Sequence, residues 1–508
     1  MLFHSTDFLF YFLPAVYVIW LLLINLRKTK VLLAWLIFSS LVFYGYWNPP
    51  YVLLLVLSTC ANYFTGKIID PKSGGKQKSR FAVLILGVSG NILLLGYFKY
   101  FNFFVSTINE VFQAGWNFEK VILPLAISFF TFQKIAYLVD AYRGDVSEHS
   151  FLNFSFFVSF FPQLIAGPIV HHAELIPQVQ RQNFYRPIPE NFLLGASIFI
   201  IGLFKKVVIA DSCGELATPL FTQATADAYF GTVEAWTGVL AYTFQIYFDF
   251  SGYSDMAIGV ARLFGFQLPE NFRAPYRATS MVEFWRRWHI TLSRFLKNYL
   301  YIPIGGNRKG VVMRYRNLFV TMLLSGLWHG AGWTFLVWGG LHGLFLVINT
   351  LWKSSFSHLK IPIPKILLTF CGWFLTMSCV VLAWIFFRAE SLSSALEIIK
   401  VMFCGPTKDI WASDVATKGV GAVFGEFAAS YLKWPWLIFA LLCCLLLPTT
   451  QCYFRNFKPV IGDLVCSSPK FLCWRPNFTH GAIIGLMLFV IIRKYFTLAP
   501  TEFLYFNF

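Results

Sequence analysis

EFWRRWHITLSRFLKNYLYIPIGGNRKG (residues 283–310) and, after a short basic spacer, SGLWHGAGWTFLVWGGLHG (325–343) decide how this chain reads. Cationic, aromatic and glycine residues interleave here, and three of the nine histidines, His289, His329 and His342, fall inside. Most of the remaining chain is apolar runs long enough to enter lipid. Ionisable groups at membrane depth are expensive and tend to line cavities or perform a task, so chemistry is expected in this stretch.

Working outward, 57% of the 508 residues are hydrophobic, 13% are charged, and the mean hydropathy is +0.62. Soluble domains carry about 25% charged residues, which excludes a soluble globular class. Runs of about 20 apolar residues from end to end imply one polytopic helical unit spanning 1–508. The 19% aromatic content fits lipid contact and interfacial belts. The net charge of +17 belongs with Lys and Arg in loops beside the spans, since no basic block stands apart as a nucleic-acid footprint. Ten cysteines show no C-x-x-C pair. Cys452, Cys466 and Cys473 share a polar loop, where a metal site is a weak alternative and none is assigned. The first apolar run lacks a basic leader and a small-residue cleavage site, and is expected to remain as a span.

Apolar runs fall at about 8–26, 31–47, 51–66, 81–105 and 121–141. Arg27, Lys28 and Lys30 follow the first, and Lys67, Lys72, Lys76, Lys78 and Arg80 cluster after the third. This alternation predicts cytoplasmic basic loops and an outer N-terminus. FLNFSFFVSFFPQLIAGPIVHH (151–172) is short and broken by Pro162, Gly167 and Pro168, which predicts a re-entrant or interfacial segment whose exit histidines, His171 and His172, are solvated. Spans follow at about 191–210 and 233–261. Asp249 and Asp255 in the second face a tunnel, satisfy neighbouring helix ends, or pair with an arginine. From Arg262 to Arg316 eleven cationic side chains stand against two acids, the strongest cytoplasmic signal in the chain. The 283–300 stretch is expected to form one interfacial helix, ended by YIPIGG. The run at 317–350 reads as a hairpin or a broken helix. An outer loop at 388–433 and C-terminal spans within 434–497 complete about 10–12 crossings, and the final TEFLYFNF is expected at the outer interface.

A buried imidazole bonded to a backbone carbonyl is the plain reading of His329. Gly326, Gly330 and Gly332 let a backbone or a ligand come close, and Trp328 and Trp333 wall a dry pocket. Imidazole is the usual general base for a hydroxyl proton. His342 reads as structural. There is no G-x-S-x-G elbow, Walker A loop or H-E-x-x-H motif. A cationic loop below an embedded histidine suits an anionic donor such as a phosphate-bearing pantetheine carrier or coenzyme.

LPLAISFFTFQKIAYLVDAYRG (123–144), FPQLIAGPIV (161–170), FQIYFDFSGYSDMAIGVARLFGF (244–266), NFRAPYRATSMVEFWRRWHITLSRFLKNYLYIPIGGNR (271–308) and the 325–343 stretch together resemble the membrane-bound O-acyltransferases, and most the alginate O-acetyltransferase branch. The core of the resemblance covers about 50–390. It implies an all-α polytopic ring of helices around a central tunnel, in a bacterial inner membrane. The family's catalytic histidine falls on His329 and its second polar position on His289, nearer the cytoplasmic mouth. Arg286, Arg287 and Arg294 are the expected donor-binding cations, with Asp249, Asp255 and Trp328 as polar tunnel residues. The resemblance implies no permanently bound cofactor, a donor that is acetyl-coenzyme A or another acyl-pantetheine thioester, an exported polysaccharide acceptor and a periplasmic esterase-like partner. Rival readings are O-acetylation of peptidoglycan, D-alanyl or other acyl transfer to a surface polymer, and, from another class, a transporter or acyl conduit without chemistry.

Overall fold

Hydrocarbon offers no water to an unpaired peptide group, so a chain this apolar must satisfy its backbone within helices. The computed structural model of the protein does so. It describes residues 1–146, 149–180, 188–226, 230–356, 364–405, 433–466, 469, 473–497 and 503–504, and among these there are helices and no strand. Seven helical stretches are long and apolar enough to cross a membrane: Asp7–Ile24, Pro50–Ile69, Gln77–Phe112, Pro189–Thr225, Trp333–Ser355, Lys365–Arg388 and Phe478–Thr497. Thr29–Gly45 and Trp434–Leu446 are shorter apolar helices. The expected all-α, multi-pass class holds. Of the expected outer loop at 388–433, residues 406–432 lie outside the described residues.

The helix Thr232–Leu263 is the axis of the molecule. Its 32 residues are about 48 Å long, and both its polar and apolar side chains are buried, including Asp249, Ser251, Ser254 and Asp255. It packs against Pro189–Phe204 through two glycine pairs. A Cβ placed on Gly259 would stand 2.6 Å from the Gly195 carbonyl oxygen, and one on Gly202 would stand 2.6 Å from that of Gly252. Only hydrogen fits there, so the two backbones touch directly.

The ends of this axis separate two sets of loops. At its start Thr232 and Trp236 donate to the carbonyls of Val401 and Met402. At its end Arg262 donates to Phe457, while Gln178 bonds the Gln267 carbonyl. Arg294 reaches Glu174, Tyr299 reaches Asp140, and Gly144 lies against Pro71. Residues 67–80, 262–267 and 294–299 therefore share one end of the molecule, and 401–402 lies at the other, while Tyr276 reaches inward to the Thr243 carbonyl.

Several local expectations are corrected. The single helix at 283–300 is two short ones, Met281–Arg287 and Ile290–Leu296, broken at His289. The cause is Asn271, whose carbonyl takes the Ile290 N–H and whose side chain takes that of Thr291. His171 and His172 are not solvated: His171 shares a hydrogen bond with Tyr299, and His172 is buried against Tyr137 and Phe157. Of the C-terminal octapeptide, Phe503 is fully buried rather than interfacial, stacked on Tyr253. Cys452 and Cys466 form a disulfide, which removes both sulfurs from metal ligation. The 151–172 segment is broken as expected, into Phe151–Ser159 and Phe161–Leu164. The 317–350 run is a hairpin, Val311–His329 and Trp333–Phe356, closed where Gly326 and Gly339 bring the two backbones together.

Candidate active site

His329 is the last residue of its helix, and Gly330 continues in extended backbone. The final carbonyls of a helix have no partner within it. Here they are taken from outside: Tyr100 Oη donates to Leu327 O at 2.8 Å, and Lys99 Nζ to Trp328 O at 2.5 Å and His329 O at 3.1 Å. Both donors come from one π-helical turn, Gly96–Tyr100. The His329 ring is 3% exposed and sits edge-on to Trp328 (4.9 Å), Trp338 (4.9 Å) and Phe387 (5.3 Å). A cavity of about 40 Å³ opens beside it, room for a few water molecules, lined also by Lys99, Ser128, Ala166, Trp328 and Phe503.

His289 is wholly buried, with a left-handed backbone (φ 43°) that turns its ring toward Asn271. Asn271 settles the tautomer. Its amide nitrogen donates to Ser254 Oγ at 3.1 Å, and its oxygen accepts from Thr291 Oγ1 at 2.9 Å. The same oxygen meets His289 Nδ1 at 3.0 Å, so Nδ1 must carry the proton. Nε2 is left as the lone-pair nitrogen, with no hydrogen-bond partner among the described residues. Trp328 joins the two imidazoles, its ring 6.3 Å from that of His289, and it stacks on Phe132 at 5.0 Å. His342 accepts from Trp285 Nε1 at 3.3 Å and is packed on Trp338.

Of the three sequence-predicted arginines, Arg286 and Arg287 border one hollow and Arg294 lies elsewhere. Arg286 is exposed and borders two hollows: one of about 280 Å³ with Arg273, Arg277 and Arg287, and one of about 720 Å³ with Arg314 and Lys353. Arg287 is paired with Glu283 at 2.6 Å. Burial works to raise the Glu283 carboxyl, but hydrogen bonds from Thr279 and the Arg287 charge outweigh it and hold the acid below the usual carboxylate range. Arg294 stands apart, bidentate to Glu174 at 2.5 and 2.9 Å. Asp249 and Asp255 are paired with lysines rather than an arginine: Lys206 reaches Asp249 at 2.8 Å, and Lys205 reaches Asp255 at 2.6 Å. Asp249 also accepts the Leu504 N–H at 3.0 Å.

With this arrangement in view, residues 117–389 match the model of the membrane-bound O-acyltransferase family. A peptidoglycan O-acetyltransferase of Helicobacter pylori is 45% identical, over 79% of this chain and 80% of that protein. The chain belongs to the membrane-bound O-acyltransferase family. A probable alginate O-acetylase of Pseudomonas aeruginosa is 41% identical over 79% of this chain and 75% of its own length, and a teichoic acid D-alanyltransferase of Streptococcus thermophilus 30% over 53% and 69%. The protein is thus a multi-pass O-acyltransferase. In this O-acyltransferase the sequence reading did not single out Lys99, Asn271 or Tyr299. Lys99 had a visible signal, a lone cation inside the apolar run 81–105, which at membrane depth asks for a function. Asn271 had none, because only the fold brings it to His289.

Proposed function

We propose that this O-acyltransferase moves an acetyl group from a cytoplasmic thioester to a hydroxyl destined for an exported envelope polysaccharide, in a bacterial inner membrane. The observation that carries the reading is His329 at the wall of a small buried cavity, on a family match that spans it. His329 takes the proton of the incoming hydroxyl, whose oxygen attacks the thioester carbonyl. The carbon–sulfur bond breaks, and the imidazolium returns the proton to the leaving thiolate. His289, held by Asn271 with Nε2 unprotonated, is the second polar group of the site. The donor is acetyl-coenzyme A or another acyl-pantetheine thioester, its phosphates held at the basic end by Arg286 and its neighbours Arg273, Arg277 and Arg287. Arg294, already committed to Glu174, orders the mouth. A glycan acceptor is favoured over D-alanyl transfer because the relatives with the longer, closer matches are named as O-acetylating enzymes of peptidoglycan and alginate. An esterase-like partner outside completes transfer.

Inverted membrane vesicles, which expose the cytoplasmic face, test this with [14C]acetyl-coenzyme A added outside. Base-labile label should appear in protein or polymer with the wild-type chain and fall at least 100-fold with His329→Ala at equal abundance. Labelling only when right-side-out vesicles receive the donor would reverse the direction. Undiminished labelling by His329→Ala would leave the imidazole a packing residue. Assaying base-labile acetate on purified peptidoglycan and on exopolysaccharide then separates the two acceptors.

A further inference from the structure

Lys99 lies within the apolar stretch Gln77–Phe112, is 8% exposed, and has no carboxylate at ion-pair distance among the described residues. A lysine at membrane depth without a counterion is costly, and its place in the fold calls for a compensating contact. That contact is the negative end of the His329 helix, where uncapped carbonyls concentrate partial charge. The ammonium lies 2.5 Å from Trp328 O and 3.1 Å from His329 O, while the neighbouring Tyr100 hydroxyl takes Leu327 O at 2.8 Å. Three consecutive carbonyls ending at His329 are therefore tied to one turn of another helix. Toward the cavity the ammonium meets Ser128 Oγ at 3.5 Å and the Trp328 ring at 5.9 Å. The turn that delivers it, Gly96–Tyr100, is π-helical, a conformation found disproportionately at functional sites.

We propose that Lys99 is a positioning residue for acyl transfer, its ammonium fixing the end of the 311–329 helix so that His329 meets the reacting groups in one orientation. The inference rests on His329 being the proton-accepting group. It requires no contact between Lys99 and the acyl group, since it acts through the backbone on which the imidazole stands. Misplacing a reacting group by about 1 Å costs on the order of 100-fold in rate, and Lys99→Met, similar in length but without the charge, releases two of the three carbonyls.

The test is the vesicle assay with [14C]acetyl-coenzyme A varied, so that kcat and KM are separated. Lys99→Met should lower kcat about 100-fold and leave KM within threefold, while Lys99→Arg, which keeps a cationic donor, should regain at least tenfold over Met. Lys134→Met is the control. That lysine is buried still more completely, but its ammonium rests on Ser58 Oγ at 2.6 Å and the Phe130 ring rather than on the His329 carbonyls. Its kcat should stay within threefold. Wild-type kcat in Lys99→Met, a loss carried by KM alone, or an equal loss in Lys134→Met would each overturn the proposal. If Lys99→Met fails to reach the membrane, Lys99→Gln is read against the same thresholds, and absence of both would make the ammonium a folding determinant and sink the idea. His329→Ala in parallel keeps the two readings apart: an inactive His329→Ala beside a normal Lys99→Met rejects only the role of Lys99.

Discussion

Asn271 is where a single side chain decides the chemistry available to another. Its oxygen is committed by two Thr291 donors and its nitrogen by Ser254, so it presents His289 with an acceptor and nothing else. Asn271→Leu removes that acceptor and leaves His289 Nδ1–H buried without a partner, a cost of about 1–3 kcal/mol. The freed imidazole then samples both tautomers. Turnover of acetyl-coenzyme A in the vesicle assay is expected to fall on the order of 100-fold, with abundance in the membrane at least half of wild type. Asn271→Asp, which still accepts from Nδ1, should retain more activity than Asn271→Leu. Equal activity in both would mean that the hydrogen bond to His289 does not set its role. His329 was legible as a candidate because an imidazole stands out among apolar and glycine neighbours, and His289 through the family resemblance. Asn271 was not, since an amide in NFRAPYR looks like any loop residue until the fold sets it beside position 289, eighteen residues on.

At the scale of elements, the wide turns account for most of what periodicity missed. Three π-helical stretches, Gly96–Tyr100, Lys205–Ala210 and Lys297–Tyr301, deliver Lys99, Lys205, Lys206 and Tyr299 to buried or half-buried partners. A π turn takes an extra residue per turn, so a reading at 3.6 residues per turn slips out of phase there and assigns the following side chains to the wrong face. The broken 283–300 helix failed for a related reason: its break is imposed by Asn271 across space, and no Pro or Gly marks it in sequence. The hairpin at 317–350 and the breaks in 151–172 were legible because glycine and proline act locally. The glycine pairs between 189–204 and 232–263 make a quantitative case. Gly259→Ala would force its methyl to within 2.6 Å of the Gly195 carbonyl oxygen, and backbone contacts leave nothing flexible to give. Overpacking of this kind costs about 1–3 kcal/mol. Detergent-solubilised Gly259→Ala should therefore denature at lower temperature than wild type, whereas Gly90→Ala, which meets nothing within 4 Å, should not. Equal melting of the two variants would show that the helices separate without cost.

For the whole molecule, the contacts gather residues 67–80, 262–267 and 294–299 at one end of the 232–263 helix and set 401–402 at the other. The positive-inside bias expects the basic end in the cytoplasm: Ser79→Cys in a background without native cysteines, and a second variant keeping Cys404 as its single cysteine, should react with an impermeant thiol reagent from opposite sides of sealed vesicles. Reaction of both from one side would refute that arrangement. The 232–263 helix also carries a message about how the protein is made. Left alone in hydrocarbon, Asp249 and Asp255 would each cost about 2.5–3.5 kcal/mol near the centre of a span. Their partners Lys206 and Lys205 lie some fifty residues earlier in the chain. During synthesis the countercharges emerge first, already seated in an apolar helix that can enter the bilayer. The acidic helix is therefore less costly to bury against that earlier helix than alone in lipid.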